Sequence, residues 1–206
     1  MQYFCAASVI NDEKTMMEEA EIAKGCQQGD ARAQRALYDS YAPRLMATIV
    51  RYVGRDDVAQ DVLQDTLVRA LNSIKQFSWR GNGSLGKWLH RLAVNGSLNY
   101  LRDNRRELNA VSLDEQPVAE AYVMPEPPTA SDVERISIDT LMQFIKELPT
   151  GYRTVFNMYC VEGYSHREIA LELGIKQTSS SSQLARAKAI LAHKINDYMA
   201  KMDKSR

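Results

Sequence analysis

Apolar residues recur every three or four positions along most of the chain, which is the period of an amphipathic α-helix. One such run consists of Leu37, Tyr41, Leu45, Ile49 and Tyr52. Another, near the carboxyl end, consists of Leu184, Ala187, Leu191 and Ile195. No stretch alternates apolar and polar residues as a half-buried β-strand does. The pattern therefore predicts an all-α fold.

A segment rich in proline and acidic residues interrupts the helical pattern. Residues 107–134 contain seven acidic residues and no Lys or Arg, and four prolines lie between Pro117 and Pro128. Proline and like charges keep a segment extended. We therefore predict two small helical domains joined by an acidic, proline-rich linker. The predicted bounds are 1–17 for an N-terminal tail, 18–108 for the first domain, 109–130 for the linker and 131–206 for the second domain.

Capping and helix-breaking residues divide the first domain into four helices. Those that mark the boundaries are Gly29, Asp30, Gly54, Asp56 or Asp57, and Ser84. Pro43 lies inside the second helix and should kink or restart it, because proline has no backbone N–H to donate. The fourth helix should extend to about Arg106.

The second domain should begin with a capping box formed by Ser131 and Glu134. The apolar positions of its first helix are Ile138, Leu141, Met142, Ile145 and Leu148. A second capping box, Ser165 and Glu168, begins a helix that ends at Gly174, and another helix follows. This succession is the layout of a helix-turn-helix, whose second helix places its first residues in the major groove of DNA.

The exposed residues at the start of that last helix are the candidates for DNA contacts. They are Thr178, Ser181, Ser182, Gln183 and Arg186. An ordinary helical hairpin is the alternative interpretation. The net charge of +5 over residues 174–206 favours DNA binding.

A second polar set lies on the fourth helix and in the loop before it. On the helix, Asn95, Asn99, Arg102 and Arg106 are spaced by four, three and four residues and so share one face. Amide and guanidinium groups pair with base edges and phosphates. The preceding candidates are Trp79, Arg80, Asn82, Ser84, Lys87 and Trp88. An aromatic residue beside a polar loop and a basic helix can hold an unstacked base, although core packing of Trp88 and plain solvation of the polar face are alternatives.

Acidic residues follow one face of the third helix. Asp57, Asp61 and Asp65 are spaced by four residues, and Gln64 lies beside them. This face would repel a nucleic acid, so it suits a protein partner. A solvated surface is the alternative.

The sequence offers little support for an enzyme or a metal protein. Gly81–Lys87 matches part of a phosphate-binding loop, but that motif needs a preceding strand and a Ser or Thr where Trp88 stands. An ATPase that uses this loop is therefore only a rival hypothesis. The three cysteines form no C-x-x-C motif and the three histidines are isolated, so we expect no metal, no cofactor and no catalysis. No apolar run approaches the roughly 18 residues of a membrane span, and we expect a cytoplasmic protein.

Three motifs in order resemble the extracytoplasmic-function (ECF) type of RNA polymerase sigma factor. Residues 56–66 resemble the family's polymerase-binding helix, and residues 87–102 resemble its promoter-melting helix, which binds the −10 element. Residues 148–156 and 162–175 resemble its helix-turn-helix for the −35 element. The likeness extends over residues 20–106 and 131–197.

The resemblance implies a sigma factor that directs core RNA polymerase to promoter DNA and helps to melt it. It assigns polymerase binding to Asp57, Asp61, Gln64 and Asp65, and the two polar sets to the −10 and −35 elements. It also implies an anti-sigma protein, which in this family is usually membrane-anchored. Ser180, Ser181 and Gln183 depart from the family's pattern, so fewer phosphate contacts are expected there. The alternative function is a stand-alone helix-turn-helix repressor with a helical effector or dimerisation domain.

Overall fold

A computed structural model describes residues 17–104, 128–129 and 134–204 of the chain. The first module contains α1 (Glu19–Gln28), α2 (Ala31–Val53), α3 (Asp56–Ser73) and α4 (Ser84–Asp103), with a 3₁₀ turn at Ile74–Gln76. The second contains α5 (Ile138–Lys146), α6 (Thr150–Phe156), α7 (His166–Leu173) and α8 (Gln177–Lys204), with a π-helical turn at Asn157–Val161. These ranges hold no strand, so the predicted all-α class is confirmed. The linker lies almost entirely outside the described residues.

Helix α2 is the centre of the first module and packs against α1, α3 and α4. Its buried residues Leu37 and Ile49 join Leu85 and Leu89 of α4 in one apolar core. The helix continues through Pro43, so the predicted restart is wrong. Pro43 is exposed whereas its neighbour Ala42 is buried, and we attribute the continuity to packing of the flanking residues, which offsets the missing hydrogen bond.

The helix caps agree with the sequence in part. The Asp30 side chain accepts a hydrogen bond from the Arg32 amide, as predicted. At α3 the prediction was wrong, because Arg55 occupies the N-cap position and Asp56 and Asp57 lie in the first turn. Acidic side chains are favourable there because they face the positive end of the helix dipole. The Arg55 guanidinium, 2.6 Å from Asp57, also lowers the pKa of that carboxyl.

In the second module, α8 packs against α6 and α7. The predicted buried stripe of α8 is confirmed, and the capping box of Ser165 and Glu168 is present. Ile138 is 79% exposed, which contradicts its predicted inward position. It is the first residue of α5, directly after the N-cap Ser137, and the packed stripe begins one turn later at Leu141. Ser131 of the predicted first capping box lies outside the described residues.

The two modules pack against each other through a shared apolar cluster. Val94, Leu98 and Leu101 of α4 are buried in the same cluster as residues of the second module. The latter are Val155, Met158, Ile169 and Leu184. Helix α4 therefore has a second buried face besides the one that carries Leu85 and Leu89, so only part of its circumference is open to solvent.

Candidate nucleic-acid interface

A polar cleft lies between the loop that follows Phe77 and the first half of α4. Its lining consists of Gln76, Phe77, Ser78, Arg80, Asn82, Ser84, Lys87, Trp88 and Arg91. The rings of Phe77 and Trp88 are 5.2 Å apart, so one side of Trp88 packs on the core while the residue also borders the cleft. Trp79 was predicted here but does not line the cleft, and it is 39% exposed. Five predicted residues thus meet at one cleft that combines aromatic, amide and cationic groups.

Helix α4 extends the cleft as a polar face. Asn95 and Arg102 are exposed, and Asn99 is half-buried. The Arg102 guanidinium donates a hydrogen bond to the Asn99 side-chain oxygen at 2.7 Å, which leaves the Asn99 amide hydrogens available. Arg91 is exposed on the same face and was missed, although its spacing of four residues from Lys87 and Asn95 could have identified it. Arg106 lies outside the described residues.

The start of α8 presents fewer free side chains than the sequence suggested. Thr178, Ser181 and Ser182 are exposed. Gln183 was predicted to be exposed but is half-buried: it precedes the core residue Leu184 and faces Gly151 of α6. Arg186 is exposed and donates a hydrogen bond to the Tyr152 hydroxyl at 3.2 Å.

The serine at position 180 has a partner that explains its polarity. Ser180 is fully buried, and its hydroxyl lies 2.9 Å from Nδ1 of His166 in the first helix of the helix-turn-helix. A hydrogen bond therefore joins the two helices at this buried position. Gly174, with φ of +63°, forms the turn between them.

The acidic face of α3 is open to solvent. Asp61, Gln64 and Asp65 are exposed, and in the described part of the chain neither aspartate lies within 4.0 Å of a basic group. Beside them a groove separates α2 from α3. Its lining includes Tyr38, Pro43, Met46, Leu63, Gln64 and Leu67. Gln64 therefore belongs both to the acidic face and to the lining of an apolar depression, and an acidic face next to such a depression suits a protein partner.

The glycine-rich segment has the wrong context for a nucleotide site. Gly83 is the N-cap of α4, and the segment before the loop is a 3₁₀ turn rather than a strand. Within the described ranges, no three His, Cys, Asp or Glu side chains converge as metal ligands. None of the helices described is both long and apolar enough to cross a lipid bilayer.

Two family models match the chain, one in each module. The sigma-70 region 2 model matches residues 37–107, and the sigma-70 region 4 model matches residues 138–191. The ECF RNA polymerase sigma-E factor of Haemophilus influenzae is 32% identical over 189 residues, which cover 86% of this chain and 95% of that protein. The chain belongs to the ECF RNA polymerase sigma factors.

Other similar proteins bear related names. The RNA polymerase sigma-H factor of Pseudomonas aeruginosa is 28% identical, with 84% of this chain and 92% of that protein covered. Among solved structures, the sigma factor RpoE of Bartonella quintana, in complex with the anti-sigma factor NepR, is 20% identical with a TM-score of 0.44. That match covers 79% of this chain and 96% of the other.

This sigma factor directs promoter-specific initiation of transcription by RNA polymerase. The function predicted from the sequence is thereby confirmed, and the stand-alone repressor is not favoured. The cleft and the polar face of α4 lie within the region 2 match, and the first turns of α8 lie within the region 4 match. Helix α1 precedes both matches.

Proposed function

We propose that this sigma factor captures unstacked bases of the melted promoter strand in the cleft formed by residues 76–91. The observation that supports this most is the meeting of Trp88 with Arg80, Lys87 and Arg91 around one opening. Base stacking on an aromatic ring and a cationic track for the backbone are the two parts of a single-strand site. The polar face that includes Asn95, Asn99 and Arg102 would continue the track.

The chain cannot open a promoter with this cleft alone. Separating about ten base-pair steps costs roughly 14 kcal/mol at about 1.4 kcal/mol each. Two or three captured bases return about 2–9 kcal/mol. Core RNA polymerase must therefore supply the remainder, and we assign its contact to Asp57, Asp61, Gln64 and Asp65 on α3.

The capture of bases is tested by Asn95→Ala in a holoenzyme reconstituted from core polymerase and the full chain. Loss of one base-edge contact, worth about 1–3 kcal/mol, should lower the permanganate reactivity of promoter thymines about fivefold or more. Initial promoter binding should change little. Asn72→Ala, an exposed asparagine on α3, is the matched control. Unchanged thymine reactivity would remove Asn95 from the site.

We assign upstream duplex recognition to Thr178, Ser181, Ser182, Gln183 and Arg186. Of these, Arg186 carries the only positive charge, so we expect it to bind a phosphate. Each phosphate contact contributes about 0.9 to the slope of log affinity against log salt concentration.

Arg186→Ala should therefore lower that salt slope by about one without changing the preferred upstream sequence. Ser182→Ala should leave the slope unchanged and relax the sequence preference. Both are measured by binding to duplexes selected from a random library, with Lys204→Ala, near the far end of α8, as the charge control. An identical slope in the Arg186 variant would show that this arginine makes no phosphate contact.

Membership of the family supports further proposals about the domain bounds, the cellular location and the partners of the protein. We assign the first domain to residues 18–108 and the second to residues 131–206. We also propose that the protein acts in the cytoplasm, carries out no catalysis of its own and binds an anti-sigma protein. Activity assays of the chain without polymerase test the absence of catalysis. Capture of bound proteins from the native cell tests the anti-sigma protein.

A further inference from the structure

The loop that borders the cleft makes few hydrogen bonds of its own. Within it, the Ser84 amide donates to the Gly81 carbonyl at 3.1 Å, and the Arg80 amide donates to the Ser84 hydroxyl at 3.3 Å. Gly81 and Gly83 both have positive φ angles. Such a loop has many accessible conformations unless another element holds it. Helix α1 holds it at both ends.

At the exit of the loop, α1 supplies the cap that α4 lacks. The N-cap residue of α4 is Gly83, which has no side chain to accept hydrogen bonds. The Glu19 carboxylate instead accepts from the amide of Gly83, from that of Leu85 at 2.8 Å and from that of Gly86 at 3.1 Å. Three of the amides that a helix start leaves unpaired are thus satisfied by a residue 64 to 67 positions away.

At the entry of the loop, a second α1 residue makes the matching contact. The Gln27 side-chain amide donates to the Ile74 carbonyl at 3.1 Å and to the Phe77 carbonyl at 2.8 Å. Glu19 and Gln27 are separated by about 12 Å along the helix at 1.5 Å per residue. One helix therefore holds the backbone at both ends of the loop, at Phe77 and at Gly83.

The charge of Glu19 suits this position. Burial raises the pKa of its carboxyl, but the three backbone amides and the Tyr41 hydroxyl outweigh burial and lower the pKa overall. In turn, burial and the nearby Glu19 charge raise the pKa of Tyr41 to about 12. The ionised carboxylate therefore faces the positive end of the α4 dipole at neutral pH. Because the folded pKa is lowered, this contact is complete at neutral pH and is lost as the pH falls through that pKa.

We infer that α1 is a clamp that positions the base-capturing loop, with Glu19 and Gln27 as its positioning residues. This inference rests on the proposed function of the cleft. Neither residue needs to touch DNA. They act by restricting the loop before a base arrives, so that less conformational entropy is lost on capture. The clamp lies outside the region 2 match at residues 37–107, so that match alone would not reveal it.

The test uses the full chain, whose only two tryptophans, Trp79 and Trp88, lie in or beside the loop. Glu19→Gln and Gln27→Ala should each raise acrylamide quenching of tryptophan emission. Each should also weaken binding of a single-stranded promoter oligonucleotide about fivefold, which is the size of effect that loss of a helix cap has. Core polymerase affinity and upstream duplex affinity should stay within about twofold. Quenching of the wild type should also increase on acidification, and that increase should be absent from Glu19→Gln.

Glu21→Gln is the matched control, because it makes the same charge change on α1 and contacts the Glu18 amide rather than the loop. The inference is overturned if both clamp variants bind single strands like the wild type while Lys87→Ala and Asn95→Ala bind more weakly. If none of these four variants weakens single-strand binding, the proposed role of the cleft itself fails. A parallel loss of core binding and helical circular dichroism would show general destabilisation, and would also overturn the inference.

Discussion

Replacing Arg153 with leucine should separate the two modules and lower the free energy of unfolding by about 3 kcal/mol or more. Arg153 is 6% exposed although it carries a permanent charge. Its removal would leave several buried carbonyls without a donor, at a cost of about 1–3 kcal/mol for each one that water does not reach.

The contacts of Arg153 join the modules through the backbone. Its Nε donates to the Tyr52 carbonyl at 3.0 Å and its Nη2 to the Val53 carbonyl at 3.1 Å, both at the end of α2. Its Nη1 donates to the carbonyls of Lys146 and Leu148 at 2.8 and 2.9 Å. The last carbonyls of a helix have no partner within it, so one guanidinium caps α2 and fixes the second module against it.

Neighbouring contacts also join the end of α2 to the second module. Gly54 follows α2 with φ of +76°, and a Cβ atom there would lie 2.8 Å from the Arg153 guanidinium, so glycine permits the approach. Asn157 donates to the Arg51 carbonyl at 2.8 Å. Glu162 lies 3.3 Å from the Arg51 guanidinium and 2.6 Å from Nε2 of His90.

Separation should also change nucleic-acid binding. In the packed arrangement, Glu162 and Glu168 of the second module line a second cleft, next to the proposed base-capturing one, and Lys87 and Arg91 of α4 line both. Moving these acids away removes their repulsion of phosphates, so the Arg153→Leu variant should bind single-stranded DNA more tightly at low salt.

Small-angle scattering for the radius of gyration and urea unfolding for stability measure the two effects. Arg153→Lys keeps the charge but not the planar fork of donors, and should be intermediate. Arg167→Leu, an exposed arginine of α7, is the control. If Arg153→Leu unfolds outright, Glu162→Gln tests the interface alone. An unchanged radius in both variants would contradict this account.

The sequence predicted the elements of the fold because their signals are local. The periodicity of α2 and α8 and the caps at Asp30, Ser165 and Gly174 depend on residues within a turn or two of each other. The second buried face of α4 was missed, since Val94, Leu98 and Leu101 are covered by a module beyond the linker. No sequence pattern identifies Arg153 as an interface residue, because its partners are backbone carbonyls, which every residue has.

The same distinction applies to the candidate site. The exposure of Asn95 and Arg102 follows from helical spacing, and the same spacing would have placed Arg91 on that face. The contacts of Glu19 and Gln27 could not be predicted, because their partners lie 47 to 67 positions along the chain. The hydrogen bond between Ser180 and His166 is equally non-local, and without the structure Ser180 was only a departure from the family's pattern.

A charge reversal at Asp61 should abolish binding to core RNA polymerase, with affinity reduced at least about a hundredfold, since placing like charges together at an interface costs several kcal/mol. Asp61 is exposed, and within the described residues no basic group neutralises it at ion-pair distance. It lies about one turn before Gln64, which lines the apolar groove between α2 and α3. The same reasoning applies to Asp65→Arg.

Asp57 provides an internal contrast on the same face. Its carboxylate already pairs with Arg55 at 2.6 Å, so part of its charge is satisfied within the chain. We expect Asp57→Ala to weaken core binding less than Asp61→Ala does.

Asp197→Arg, an exposed aspartate of α8 in the second module, controls for the change in net charge. Binding is measured by pull-down and by fluorescence anisotropy, with circular dichroism to show that each variant is folded. A folded Asp61→Arg protein that still binds core polymerase normally would mean that the acidic face of α3 is solvated surface, and that the partner supplying the remaining energy of melting binds elsewhere.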